Sequence, residues 1–95
     1  MTAKANPSVA AHMRFEDRSR ERFLEAFLPA RDAMARETGV HAVYDLAPIR
    51  GTPESRADIT VISPKDAKEA RRLLRGLVAS IKSAMESAER AGSDL

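Results

Sequence analysis

Lys68, Arg71, Arg72 and Arg75 recur at i, i+3, i+4 and i+7, the spacing that lines side chains along one face of a helix. Four cations in a row form a stripe suited to the phosphates of a nucleic acid or to an acidic protein surface. Arg50 and Arg56, in or near a turn before the helix, are expected to extend it. Other chemistry is thinly represented. The chain has no cysteine, which removes thiol nucleophiles, disulfides and thiolate metal sites. His12 and His41 are its only imidazoles, and no serine sits in a G-x-S-x-G elbow. His41 and Asp45 share a strand face but stand roughly 13 Å apart, too far to hold one metal ion. Pairs such as Glu16 with Asp17 and Glu86 with Glu89 interleave with arginines, which reads as a solvated ion-pair lattice rather than an acid–base couple. The tip Arg50, Gly51, Thr52, Pro53 lacks the G-x-x-x-x-G-K-[ST] spacing of a phosphate loop and precedes a strand. The expectation is a non-enzymatic binding module with no cofactor and no metal.

Charge sharpens this. The 95 residues carry 16 Lys plus Arg and 14 Asp plus Glu, a net charge of +2. Residues 65–82 hold six basic and two acidic groups, and residues 83–95 one and three. One helix with a basic first half and an acidic end follows. Only four aromatic residues, Phe15, Phe23, Phe27 and Tyr44, are present, and none interleaves with the stripe as single-strand stacking requires.

The elements that position these groups are legible from periodicity. Phe23, Phe27, Ala30 and Met34 mark the core face of a helix from Asp17 or Ser19, stopped by Thr38 and Gly39. Pro29 inside it removes a ladder hydrogen bond and predicts a kink or short break. Residues 40–47 and 57–62 are rich in β-branched side chains and read as a hairpin. Two registers agree with its faces. One sets Asp45 against Asp58, a like-charge pair, so the expected register is the other, with Val43 opposite Ile62 and Tyr44 opposite Val61. Ser63, Pro64 and Asp66 announce a second helix, carried by Ala70, Leu74, Leu77, Ile81 and Met85 and ended by Gly92. Gly76 within it suggests close approach of another backbone.

The predicted architecture is α+β in the order helix, strand, strand, helix, an antiparallel hairpin with both helices on one face. Residues 1–16 are expected to be a mobile arm, 17–91 one domain and 92–95 a tail. A bare hairpin leaves two open edges, so a homodimer joined near Val43 and Ile62 is expected. The element order resembles small phage head-to-tail joining proteins. The alternative function is that of a phage or mobile-element protein acting in virion assembly or as an inhibitor of a host complex. Twelve arginines, four lysines and 17 alanines point to a GC-rich genome and hence to bacteria or phages. No apolar run approaches the roughly 20 residues that span a bilayer. With no cysteine and no apolar leader after Met1, the expected location is the cytoplasm.

Overall fold

A computed structural model describes residues 8–62 and 66–93. Strand β1 (Ser8–Glu16) leads through a short 3-10 turn (Asp17–Ser19) into helix α1 (Arg20–Thr38). Strands β2 (His41–Pro48) and β3 (Glu54–Ile62) follow, then helix α2 (Ala67–Ser93). The helix, strand, strand, helix order is therefore present, with a further strand in front of it. The three strands form one antiparallel sheet in the order β1-β3-β2. Both helices pack on one face, and the other face is open. The order βαββα matches the first five elements of a ferredoxin-like unit.

The added strand corrects the expectation of a mobile arm over residues 8–16, which belong to the sheet, while residues 1–7 of that expected arm lie outside the described residues. Val9, Ala11, Met13 and Phe15 alternate with Ser8, Ala10, His12, Arg14 and Glu16, and the first set turns toward the helices. Met13 and Phe15 are buried, and the Phe15 ring stacks on Phe23 with centroids 5.1 Å apart. At its end, the Asp17 N–H donates to the Pro53 carbonyl at 2.8 Å, which ties β1 to the hairpin tip. The strand lies along β3 and covers one of the two hairpin edges expected to be open.

The hairpin adopts the register set aside on charge grounds, with Asp45 opposite Asp58 and Tyr44 opposite Ile59. Turn geometry decides this. Gly51 takes a left-handed φ of 76°, the Thr52 N–H donates to the Ile49 carbonyl at 3.2 Å, and the Ile49 N–H donates to the Glu54 carbonyl at 2.9 Å. Pairing Ile49 with Glu54 fixes every later partner. The like-charge penalty is eased because Arg56 Nε lies 3.3 Å from Asp58 Oδ1 on the same face.

Phe23, Phe27, Val40, Ile59, Val61 and Ile81 are among the most deeply buried side chains, and Ala70, Leu74 and Leu77 of α2 close over them. Helix α1 runs as one element through Pro29, and Gly39 at φ 73° ends it by donating its N–H to the Ala35 carbonyl at 2.9 Å. Ser63 and Pro64 lie outside the described residues. The start of α2 is capped by Asp66, whose Oδ1 accepts the Glu69 N–H at 2.7 Å. Gly92 does not end that helix, which continues to Ser93, so the expected tail is partly helical. Among the described residues no heavy atom other than its own chain neighbours and helix backbone lies within 4 Å of where a Cβ on Gly76 would sit, so the expected close approach is not found there.

Candidate interaction surfaces

Helix α2 carries the stripe because its apolar positions fall on the opposite side. Ala70, Leu74, Leu77 and Ile81 are buried, whereas Lys68, Arg71, Arg72 and Arg75 are exposed. None of the four makes an ion pair among the described residues. Five other arginines do: Arg14 with Glu54 at 2.8 Å, Arg18 with Glu16, Arg20 with Asp17, Arg31 with Asp32 and Arg56 with Asp58. The stripe begins with Lys68 in the first turn of α2, where the helix dipole presents positive potential and favours acidic side chains. A cation there opposes helix stability slightly and reinforces an anion-attracting field.

The structure divides the stripe by its neighbours. Arg71 and Arg75 border a groove of 580 Å³ with Val9 and Ala10 of β1 and with Leu74. Arg72 borders the cleft toward the end of α1, beside Met34, Glu37 and Thr38. Arg50 and Arg56 are not brought to it. Arg50 sits at the hairpin tip, beyond the Glu54 end of β3, whereas Arg71 and Arg75 lie beside Val9, seven residues or about 23 Å away along β1. Arg56 projects from the open sheet face and is held by Asp58. The expected six-residue patch is thus a four-residue one.

Val43 and Ile62 are exposed, at 54% and 40%, on the open sheet face. Ile62 belongs to the central strand, with Ser8 on one side and His41 on the other, so it cannot sit at a sheet join. Ile62 is thereby removed from the expected dimer edge, whereas Val43 lies on β2, at the other edge of the sheet. Among the described residues no group of three or more His, Cys, Asp or Glu is placed to hold a metal ion, and no helix is long and apolar enough to cross a membrane.

A second groove, of 640 Å³, escaped the sequence reading. It continues along β1 between residues 12–16 and the far half of α2, and Met13, Phe15, Lys82, Met85, Glu86 and Glu89 line it. The alternation of Val9, Ala11, Met13 and Phe15 was the available signal, obscured by adjacent alanines at 10 and 11.

No family model matches the chain, and no curated protein matches it. Solved structures do. A crystal structure of a C-terminal segment of the alpha subunit of aIF2 from Pyrococcus abyssi aligns with 87% of this chain at 27% identity and a TM-score of 0.56. This chain is similar to that segment. The intact alpha subunit of aIF2 from the same organism aligns with 86% of the chain at 28% identity and a TM-score of 0.52. The chain spans 47% of the first structure and 31% of the second. Both neighbours come from Pyrococcus abyssi, and neither is a bacterial or phage protein.

Proposed function

We propose that this chain is a non-enzymatic docking domain of the translation apparatus that binds the phosphate backbone of RNA through the cationic stripe of α2. One observation carries the reading: Lys68, Arg71, Arg72 and Arg75 are exposed and without ion pairs among the described residues, along the first half of α2. The likeness to a segment of an initiation-factor subunit supports the setting. The stripe lacks exposed aromatic neighbours, which favours backbone contacts over base stacking. Binding is then insensitive to sequence and sensitive to salt.

Anisotropy titration of a labelled RNA hairpin at low salt tests this. The parent chain is expected to bind at about 10 μM or tighter. Lys68→Gln combined with Arg72→Gln is expected to weaken binding without altering the unfolding midpoint. Equal affinity of parent and variant contradicts the reading.

A second reading has its own support. The neighbours are a subunit and a segment of it, and the same stripe fits an acidic surface on a companion protein. Capture of a protein from extract that survives nuclease, and is lost in the same variant, selects it.

A further inference from the structure

We infer that the free edge of β1 pairs antiparallel with β1 of a second copy, so that two three-stranded sheets become one of six strands and the two α2 helices lie side by side. The inference does not rest on RNA binding, but it takes up Arg71 and Arg75, on the flank of α2 that borders β1, and leaves Lys68 and Arg72 to face a phosphate backbone.

The first observation is the edge itself. Among the described residues, β1 is paired on one side only, by β3. Natural edge strands are blunted by proline, lysine, bulges or brevity. Ser8–Glu16 has nine residues in unbroken register, with no proline, no lysine and no bulge. Its charged groups Arg14 and Glu16 are held by Glu54 and Arg18. The strand therefore offers an open row of backbone donors and acceptors.

The second observation is that the flanking groove complements itself. Beside Val9 and Ala10 it is basic, bordered by Arg71 and Arg75. Beside residues 12–16 it is bordered by Met85, Glu86 and Glu89 of α2, with Lys82 nearer the middle and Arg22 of α1 also lining it. A two-fold axis through His12 reverses the direction of the second copy. It sets Val9 opposite Phe15 and Ala11 opposite Met13, which continues the apolar face across the join. The same axis brings Arg71 and Arg75 of one α2 toward Glu86 and Glu89 of the other. Strand register and helix charge thus call for one axis.

Spacing agrees as well. Helix α2 packs over β1 and β3. With strands about 4.8 Å apart, two such helices across a β1–β1 join stand about 10 Å from each other, the distance of packed helices. Lys68 and Arg72 remain outside this contact.

Charge exchange tests the proposal on the whole chain. Sedimentation is expected to report a concentration-dependent dimer for the parent. Arg71→Glu with Arg75→Glu gives one variant, and Glu86→Arg with Glu89→Arg gives another. Each alone sets like charges against like, so its dimer constant is expected to weaken roughly tenfold or more. Mixed, the two variants restore complementarity at both ends and are expected to form a heterodimer. A second readout needs no charge change. His12→Cys places thiols on the axis, where directly opposed residues are about 4.5–5.5 Å apart at Cα, close enough for a disulfide. The chain has no other cysteine, so oxidation is expected to yield a covalent dimer from this variant and not from Val43→Cys. A parent that stays monomeric at several hundred micromolar overturns the proposal, as does a dimer indifferent to both exchanges or a mixture that fails to associate.

Discussion

The hydroxyl of Ser55, fully buried on β3, donates a 2.6 Å hydrogen bond to Oδ1 of Asp17 at the junction of β1 and α1. This contact, with the backbone bond from Asp17 to Pro53, locks the N-terminal strand to the hairpin. Asp17→Ala leaves the Ser55 oxygen buried without its acceptor and is expected to destabilise by about 1–3 kcal/mol. Ser55→Ala is expected to cost less, because the exposed carboxylate regains water. Denaturant midpoints of both variants and of the double variant measure the coupling.

Strand β1 is expected to be essential to folding. Removing residues 1–16 deletes Met13 and Phe15 from the core and leaves the central strand with an unpaired edge. Loss of a cooperative thermal transition is the expected result. A truncated chain that unfolds cooperatively near the parent midpoint contradicts the assignment of β1 to the core.

In the packed layer, Ile59→Ala and Leu77→Ala are each expected to destabilise by about 2–5 kcal/mol, since both side chains are buried where sheet and helix meet. Chemical denaturation checks this. Values within about half a kcal/mol of the parent contradict the placement of these residues in the core.

The Asp45 and Asp58 pair is a local conflict that the turn imposes. Asp45→Thr is expected to raise stability by about 0.2–1 kcal/mol, because it removes like charge from directly opposed positions and adds a β-branched side chain. An unchanged or lower midpoint contradicts this account of the register.

Much of the architecture was legible because helices α1 and α2 have strong 3.6-residue patterns, from Phe23 to Met34 and from Ala70 to Ile81. The hairpin was legible as an element but not in register. The charges of Asp45 and Asp58 do not encode the turn, where Gly51 and Thr52 set the pairing through backbone geometry. Strand β1 was hidden because Ala10 and Ala11 flatten its alternation and because its partner, β3, lies 46 residues away at Asp58 opposite His12. The stripe followed from helical spacing. Excluding Arg50 and Arg56 required the direction of α2 over the sheet, which spacing along the chain does not encode.

The salt dependence of RNA binding tests the central claim most directly. Lys68 and Arg72 in the dimer, joined by Arg71 and Arg75 in the monomer, predict that log K falls with log salt at a slope between about −1.4 for two contacts and about −3.6 for four, at about 0.7–0.9 per contact. Replacing Lys68 or Arg72 by Gln is expected to flatten the slope by about 0.7–0.9 while the fold stays intact. A slope near zero, or one that neither substitution changes, contradicts the assignment of this stripe to a phosphate backbone.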